Sequence, residues 1–355
     1  MEIKSSFPRR MLFVSPVPFD GLRQRHQAIS EGLAREGIQI IFLDPIISPG
    51  FDIETCLINP MFQVVRVKLP FRATSFPFLQ SIAVNLASII LEKKKLLKPQ
   101  NDGLWISEPS LSAIANKKWQ KIVYDRCDKH GSFPNQSKKP FEIYENLLFK
   151  KASITIASSM PLLQEALSRG AKRGFLIPNA ADSKWIKAPS PDQFPPFPPI
   201  KAISSGAHYE WIDWDWMFEL LENRQIELHL VGTGRGKAFK ALSNHPKVFF
   251  HGKVSHNNLL PIIDACHVGL VPFAKSPLTE AVDPIKVYEY AARGLDVWGT
   301  DLISFHSNPF VSRVIKNGND ASEALDYTYK RFSRKRRIHF EVPSWEDRIR
   351  AILEC

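Results

Sequence analysis

Apolar and polar positions in the first half of the chain follow two alternating patterns. Residues 11–15 form a short apolar run that ends at Pro16, which predicts a buried strand. Residues 24–35 repeat apolar positions at helical spacing, and Gly37 predicts the end of that helix. The run 38–43 predicts a second buried strand. Further strands are predicted at 63–69, 104–107, 121–124, 154–157 and 174–177, with helical patterns between most of them.

The second half repeats this alternation. Strands are predicted at 201–205, 227–231, 248–251 and 267–272, and helices at 213–222, 257–263, 284–293 and 344–353. Strands that alternate with helices predict parallel sheets covered on both faces. We therefore expect an α/β protein with two parallel-sheet domains, a cleft between them, and ligands beyond the carboxyl ends of the strands.

A proline-rich stretch separates the two halves, because six prolines lie within residues 189–199. Proline has no backbone N–H and a fixed φ, so this stretch should form neither a helix nor a central strand. It is the predicted linker between a first domain, residues 1–188, and a second domain, residues 200–340. The closing helix, within residues 341–355, is expected to pack back on the first domain.

The positive charge is concentrated in the first half. The 355 residues carry a net charge of +11 at pH 7, and residues 1–188 contain 27 Lys and Arg against 16 Asp and Glu. The remaining residues contain 20 of each, so the whole excess belongs to the first half. This asymmetry predicts an acidic partner for the first domain: a membrane surface, a phosphorylated acceptor or nucleic acid.

The amino-acid composition is that of a folded globular protein without membrane spans. With 44% hydrophobic and 23% charged residues the chain is typical of folded globular proteins, and no apolar run reaches the roughly 18 residues of a membrane span. The four cysteines form no C-x-x-C pair and fit no zinc site, and free thiols suit a reducing compartment. No signal peptide is expected at the N-terminus, so the cytoplasm is the expected location.

Several segments resemble those of a known enzyme family. They are 268–273 (VGLVPF), 283–294 (DPIKVYEYAARG), 25–27 (RHQ), 124–128 (YDRCD), 177–182 (IPNAAD) and 344–348 (SWEDR). Together they resemble bacterial GT-B glycosyltransferases, in particular a family 4-like group that includes teichuronic-acid and xanthan-type (glucuronosyl) exopolysaccharide transferases. The resemblance extends along most of the chain. It implies two Rossmann-like domains that face each other across a cleft, and transfer of a sugar from a nucleotide-sugar, expected to be a UDP-sugar.

The helix predicted from Pro284 carries the main donor-binding candidates. A helix N-terminus offers partial positive charge and free backbone donors, which suits a pyrophosphate, and Lys286 adds a cation. The resemblance implies that Glu289 binds the ribose hydroxyls. Asp283 and Tyr288 are assigned to the same candidate donor site. The alternative is an ordinary surface helix that happens to carry a lysine and a glutamate.

One position departs from the family pattern. Family 4 enzymes often carry two glutamates with seven residues between them, and the partner position of Glu289 holds Ala281 instead. Glu280 and Asp283 are the acidic residues nearby. Whether either of them replaces the missing glutamate, and whether the transfer inverts or retains the sugar's configuration, therefore stays open.

Turns after predicted strands supply the other donor-binding candidates. Glycine lets the backbone approach a phosphate closely, and a guanidinium can pair with one. A plain tight turn is the alternative at each position. The candidates are Gly21 in the first domain and Gly206, His208, Gly232, Gly234, Arg235 and Val254 in the second. Arg23, Arg25 and His26, near Gly21, are left open between a site role and the solvated face of the first helix.

Two aspartates follow the predicted strand 121–124. Glycosyl transfer to a hydroxyl requires that the hydroxyl lose its proton, and a carboxylate can accept it. The resemblance to an inverting glucuronosyltransferase implies an aspartate base in this domain, so Asp128 is the first candidate and Asp125 the second. The alternative is that one aspartate caps the next segment while the other pairs with Arg126 or Lys129.

Residues 76–98 combine an apolar helix with a basic end at Lys93, Lys94, Lys95 and Lys98. This suits an anionic membrane surface, and peripheral attachment to the inner face of the plasma membrane would bring the enzyme to a lipid-linked acceptor. A core helix with a solvated end is the alternative. The basic run 334–337 suits a solvated or membrane-facing loop, and no nucleic-acid partner is expected because the motifs of known modules are missing.

These features predict a hexosyl- or glucuronosyltransferase of cell-surface polysaccharide synthesis that acts on a glycan or a lipid-linked acceptor. No metal and no cofactor besides the nucleotide-sugar are expected, since Lys286 and a helix N-terminus would neutralise the leaving diphosphate. Two alternatives stay open: a nucleotide-sugar epimerase of the same two-domain shape, and a non-catalytic sugar-binding protein.

Overall fold

The chain divides into two compact units, unit 1 (residues 1–178 and 345–355) and unit 2 (residues 179–344). The computed structural model describes residues 7–46, 50, 52–69, 77–134, 136, 138–189, 191, 194–332 and 341–355. Phe76 and the basic run 334–337 lie outside the described residues. The proline-rich stretch predicted as a linker belongs to unit 2, and the closing helix belongs to unit 1.

Unit 1 is built on an eight-stranded sheet. The strand order is β3-β4-β2-β1-β5-β6-β7-β8, and all neighbouring strands are parallel except β3 and β4. Apolar side chains dominate the central strands because helices cover both faces of such a sheet. The strands are β1 (Arg10–Val14), β2 (Gln39–Leu43), β3 (Asp52–Asn59), β4 (Phe62–Lys68), β5 (Gly103–Ile106), β6 (Lys121–Arg126), β7 (Ile154–Ala157) and β8 (Gly174–Leu176).

The helices of unit 1 include the last helix of the chain. They are α1 (Arg25–Arg35), α2 (Pro77–Lys93), α3 (Lys138–Lys151), α4 (Met160–Ser168) and α12 (Trp345–Glu354). Helix α12 packs on α1, where a β-carbon at Gly32 would lie 2.5 Å from Cγ1 of Ile349. The missing side chain at Gly32 thus makes room for the buried Ile349, which ties the end of the chain to unit 1.

Unit 2 is built on a six-stranded, fully parallel sheet with the order β11-β10-β9-β12-β13-β14. Its strands are β9 (Ile200–His208), β10 (Ile226–Gly234), β11 (Val248–Gly252), β12 (Val268–Val271), β13 (Asp296–Gly299) and β14 (Arg313–Val314). Its helices are α5 (Ser183–Lys187), α6 (Trp214–Glu222), α7 (Lys237–Ser243), α8 (His256–Asp264), α9 (Ile285–Ala292), α10 (Ile303–His306) and α11 (Gly318–Phe332). Val297 and Trp298 alternate along β13 and enter two separate apolar clusters, as expected for the two faces of one sheet.

The prediction of an α/β fold with two parallel-sheet domains is confirmed. Three strands have no counterpart in the predictions. The first is β3, a largely exposed edge strand whose longest apolar run is the three residues 56–58. The others are β13 and β14; β13 begins with the buried Asp296, which pairs with Arg331 and accepts from the Thr328 hydroxyl at 2.7 Å. A buried carboxylate interrupts the apolar pattern that marks other strands, and only its partners from α11 make its burial tolerable.

Within the described part of the chain, no helix has both the length and the apolar character needed to cross a membrane.

Candidate functional site

The carboxyl ends of β9 and β10 in unit 2 meet at two glycines. Gly206 and Gly232 have φ values of +121° and +119°, a region that favours glycine. A β-carbon on Gly232 would overlap the carbonyl of Gly206, and one on Gly206 would overlap the ammonium of Lys286. The structure therefore brings two of the predicted donor-site glycines together with the predicted lysine.

Lys286 lies in the first turn of α9 with its ammonium against this glycine edge. Burial lowers the pKa of Lys286, and the neighbouring Glu289 carboxylate only partly opposes that shift. Among the described residues, the Lys286 ammonium has no hydrogen-bonding or ion-pairing partner. A desolvated cation of this kind, at the N-terminus of a helix, is well suited to bind an anion.

His208 stands at the end of β9 and faces the same edge. It is buried, and its Nε2 lies 2.9 Å from the hydroxyl of Ser204. Burial and then the Lys286 charge lower the pKa of His208 to about 4. The imidazole is therefore neutral at physiological pH, so it can serve as a hydrogen-bonding group for a ligand but adds no charge.

The start of α9 is held by Asp283 and Tyr288. The Asp283 carboxylate accepts the backbone N–H of Asn179 at 2.6 Å and the hydroxyl of Tyr288 at 2.8 Å. The amide of Asn179 also donates to the Asp283 carbonyl. These contacts indicate that Asp283 and Tyr288 orient the N-terminus of α9, whereas the sequence interpretation placed both among the groups that bind the donor.

Glu289 is mostly buried on α9, and its Oε1 lies 3.3 Å from Nε2 of His256. The His256 ring stacks on Trp185 with ring centroids 4.3 Å apart. His256 begins α8, directly after the loop that contains the half-buried Val254. The carboxylate is thus held by a stacked imidazole next to the loop that contains Val254, one of the predicted donor-binding residues.

The remaining candidates in unit 2 differ in their surroundings. Arg235 is largely exposed, pairs with Glu210, and lies 5.0 Å from the ring of Tyr209. A β-carbon at Gly234 would overlap the ring of Phe239, so packing of α7 accounts for this glycine. Ala281, at the position of the missing glutamate, is buried.

Unit 1 contains a buried ion pair at the carboxyl end of β6. The Asp125 carboxylate is fully buried and accepts from Nε of Arg25 at 2.9 Å and 3.0 Å, while Arg25 Nη1 donates to the carbonyl of Ile177 at 2.8 Å. This environment favours a structural role for Asp125. The alternative partners considered from sequence bind elsewhere, Arg126 to Glu145 and Lys129 to Glu165.

Asp128 follows β6 and is less deeply buried than Asp125. Burial raises the pKa of Asp128, and the charge of His130 and a hydrogen bond from Cys127 oppose the shift without cancelling it. A carboxylate whose pKa lies above its usual range is a stronger proton acceptor, as general base chemistry needs.

Two neighbours of Asp128 were missed by sequence reasoning. His130 Nδ1 lies 3.3 Å from Oε2 of Glu108, and both residues are mostly buried. Glu108 follows β5 just as Asp128 follows β6, and these strands are adjacent and parallel. The signal was present in the sequence, because polar residues after neighbouring parallel strands meet at one edge of the sheet.

Near the same edge lies a cavity of about 120 Å³. Glu108 lines it together with Val14, Leu43, Ala83, Val84 and Leu111.

Gly21 lies in the turn between β1 and α1, where its N–H donates to the carbonyl of Pro18 at 3.0 Å. Arg23, just before α1, pairs with Glu31 on α1 at 2.9 Å. Of the residues left open, Arg25 is thus engaged in the structural pair with Asp125, and His26 is buried beside it.

No protein-family model and no curated protein sequence matches the chain. Solved structures do match it. An α,α-trehalose-phosphate synthase (UDP-forming) from Burkholderia xenovorans, in complex with glucose-6-phosphate, has a TM-score of 0.64 and 12% identity, covering 98% of each chain. An E. coli trehalose-6-phosphate protein bound with UDP-2-fluoro glucose has a TM-score of 0.62 and 12% identity, covering 97% of this chain and 95% of that one. Anabaena HepE in complex with UDP-glucose has a TM-score of 0.59 and 13% identity, covering 97% of this chain and 94% of that one.

The chain has the GT-B fold of these glycosyltransferases, which confirms the fold predicted from the sequence.

Proposed function

We propose that the protein is a glycosyltransferase that moves a sugar from a UDP-sugar to a hydroxyl of a glycan or lipid-linked acceptor in cell-surface polysaccharide synthesis. The observation that carries this proposal is the ammonium of the half-buried Lys286, which lies against Gly206 at the N-terminus of α9 and has no partner among the described residues. A diphosphate supplies the charge that this position lacks. Two of the structural neighbours are complexes with a UDP-sugar or its fluorinated analogue, which supports the choice of donor.

In this proposal unit 2 binds the donor. Lys286 and the backbone N–H groups at the start of α9 neutralise the charge that develops on the leaving diphosphate. Glu289, held by His256, accepts hydrogen bonds from the ribose hydroxyls. Gly206 and Gly232 let the phosphates approach the backbone, and His208 contributes an uncharged hydrogen-bonding group.

Unit 1 binds the acceptor and supplies the base. Asp128 accepts the proton of the acceptor hydroxyl, whose oxygen forms a bond to the anomeric carbon of the sugar. The bond from that carbon to the diphosphate oxygen breaks, and UDP leaves with the electron pair. The mostly apolar cavity beside Glu108 supports an acceptor with an apolar portion, since cavities of about 150 Å³ can hold a benzene-sized group.

The exposed apolar residues on the outer face of α2 support a peripheral membrane location. Phe78, Ile82, Leu86 and Ile89 lie on one side of this helix and are between 37% and 68% exposed. Ala83, Ala87 and Leu91 on the other side are buried in the core of unit 1. Lys93, Lys94 and Lys95 at its end are exposed, so the apolar stripe and the adjoining cations together suit an anionic bilayer.

The test of the function is release of UDP from a panel of UDP-sugars, with and without bacterial lipid extract. Acceptor-dependent release is the expected result. Interconversion of the sugar without an acceptor would identify an epimerase instead, and failure to bind any nucleotide would contradict both activities.

A residue-level test uses Glu289→Gln. The change removes the charge of the carboxylate and should weaken UDP binding about tenfold, measured by calorimetry. Glu219→Gln is the matched control, because Glu219 is exposed on α6 of the same unit and should bind UDP like the unaltered protein. Equal binding by both variants would contradict the assignment of Glu289.

A further inference from the structure

Two histidine nitrogens in unit 1 are buried without a hydrogen-bonding partner among the described residues. They are Nε2 of His130 and Nδ1 of His26. His130 is 4% exposed and His26 is 3% exposed. A buried polar atom left without a partner destabilises the folded protein, so a ligand that supplies the partner is a physical reason for such an arrangement.

The His130 ring is fixed in position by its neighbours. Its Nδ1 faces Oε2 of Glu108 at 3.3 Å, and Glu108 Oε1 accepts the backbone N–H of Ser110 at 3.1 Å. The ring also lies parallel to Phe141, with ring centroids 6.4 Å apart, and beside Phe133 at 6.0 Å. With Nδ1 committed to Glu108, the nitrogen left for a ligand is Nε2.

The charge of this ring is determined by its surroundings. Burial lowers the pKa of His130, but Glu108 and then Asp128 and Glu145 outweigh burial and raise the pKa to about 9. Burial and the charges of Arg25 and His130 lower the pKa of His26 to about 3. At neutral pH the cluster therefore contains one imidazolium, which can donate from Nε2, and one neutral imidazole.

We infer that His130 is a further catalytic residue, which donates a hydrogen bond from Nε2 to the attacking oxygen of the acceptor while Asp128 removes the proton from that oxygen. Glu108 is then a positioning residue that orients the ring and holds its charge. The inference rests on the proposed transfer reaction. The imidazolium stabilises the negative charge that develops on the attacking oxygen, which is the kind of interaction that accelerates the chemical step.

The positive charge of His130 also keeps the Asp128 carboxylate, the proposed base, ionised. Asp128 is faced by His130 and Cys127, which favour its carboxylate form, and by Asp125 and Glu108, which oppose it. Replacing His130 by an uncharged residue removes the favourable charge, so the pKa of Asp128 must rise. Replacing Glu108 by Gln removes the largest favourable charge on His130, so the pKa of His130 must fall from about 9.

These shifts predict the pH dependence of kcat/KM, measured with the full chain, bacterial lipid extract and the UDP-sugar that the panel identifies. The unaltered protein should lose activity above about pH 9, where His130 becomes neutral. Glu108→Gln should move this alkaline limb to lower pH. His130→Gln should lose the alkaline limb and move the acidic limb to higher pH.

His130→Ala should lower kcat about 100-fold while UDP binding changes less than about twofold.

His306→Gln is the matched control, because His306 is an exposed histidine of unit 2 that pairs with Asp301. It should retain the kcat and both limbs of the unaltered protein. If His130 is only structural, its variants will lower the melting temperature and the amount of active protein but leave both limbs in place, and that result overturns the inference. Full activity of His130→Gln with unchanged limbs overturns it as well. Absence of any UDP release by the unaltered protein would instead contradict the proposed function itself.

Discussion

At the scale of single residues, the assignment of Lys286 to the donor site depends on the residues that surround it. The sequence shows a lysine in the first turn of a predicted helix, a pattern that many surface helices share. The structure places the half-buried ammonium against Gly206, and partial removal from water lowers its pKa. A charge that is costly to bury and has no partner among the described residues is difficult to explain by stability alone.

This argument predicts opposite effects of Lys286→Met on binding and on stability. UDP binding should weaken by about 10- to 100-fold, because a hydrogen bond to a charged group contributes about 1.5–3 kcal/mol. The melting temperature without nucleotide should stay the same or rise, since a partly desolvated charge without a partner among the described residues is removed. Calorimetric titration and thermal unfolding measure the two quantities.

Lys240→Met serves as the control, because Lys240 is exposed on α7 of unit 2. It should leave both UDP binding and the melting temperature unchanged. A lower melting temperature for Lys286→Met, with unchanged UDP binding, would show that Lys286 stabilises the fold and does not bind the donor.

Asp128 and Asp125 illustrate how the surroundings separate two similar residues. We predict that Asp128→Asn leaves UDP binding unchanged and abolishes acceptor-dependent turnover, because the amide cannot accept the proton. Asp125→Asn should instead lower the melting temperature, since it leaves the buried Arg25 without its charged partner. Full turnover by Asp128→Asn would show that another group is the base.

At the scale of elements, the contact between α1 and α12 depends on the absence of a side chain at Gly32. A β-carbon there would lie 2.5 Å from Cγ1 and 2.8 Å from Cδ1 of Ile349. We predict that Gly32→Ala destabilises unit 1 by about 1–3 kcal/mol through overpacking. Ile349→Ala should cost about 2–5 kcal/mol, because the side chain is buried.

The double variant tests whether the two residues contact each other. Gly32→Ala with Ile349→Ala should be less destabilised than the sum of the single changes, because the new methyl group fills part of the space that isoleucine leaves. Urea unfolding provides the free energies. Additive effects would indicate that α12 does not pack on α1 as described.

A second element-scale prediction concerns acid. Glu145 on α3 accepts from Nε of Arg126 on β6 at 2.7 Å and from Nη1 of Arg169 at 2.6 Å. Burial raises the pKa of Glu145, but the two guanidinium groups outweigh burial, so its folded pKa lies below the ordinary 4.5. The stabilisation is therefore complete above about pH 4.5 and is lost as the pH falls through the folded pKa.

Glu145→Gln tests this contribution. The variant should be less stable than the unaltered protein by about 3 kcal/mol at pH 7, and this difference should shrink as the pH falls below 4.5. Urea unfolding at a series of pH values measures it. A difference that does not depend on pH would assign the loss to packing and not to charge.

At the scale of the whole molecule, the unequal distribution of charge is the main observation that supports binding to an anionic membrane. The excess of +11 lies entirely in residues 1–188, and the exposed apolar stripe of α2 belongs to the same half. We predict that the protein floats with anionic vesicles in a density gradient, and that added salt weakens this binding. Neutral vesicles should bind it much less.

Two variants separate the contributions of charge and of apolar contact. Replacing Lys93, Lys94 and Lys95 by Gln should reduce flotation at low salt, and Leu86→Ser should reduce it at every salt concentration. Ile143→Ser is the control, because Ile143 is an exposed apolar residue on α3 of the same unit. If Ile143→Ser reduces flotation as much as Leu86→Ser, the stripe on α2 is not the membrane-binding surface.

The order of apolar and polar residues was enough to predict the architecture. Apolar runs of strand length alternate with segments of helical periodicity, and a parallel sheet covered by helices on both faces buries the apolar residues of both. Glycines in the turns indicated where strands end. The sequence also predicted the helix that carries Lys286 and Glu289 and the strand that Asp128 follows. Strand β13 was missed because it begins with an aspartate and has only two apolar residues in a row, and Asp296 is stable there only with partners from α11.

Which polar residues are available to a ligand depends on contacts that form only in the folded protein. Asp283, Tyr288 and Asp125 satisfy partners within the protein, whereas the Lys286 ammonium and Nε2 of His130 have none among the described residues. The pairs that make this distinction join residues such as Arg25 and Asp125, which are 100 positions apart. Local sequence patterns report burial and periodicity, but whether a buried charge is neutralised depends on residues that only the folded chain brings within about 4 Å.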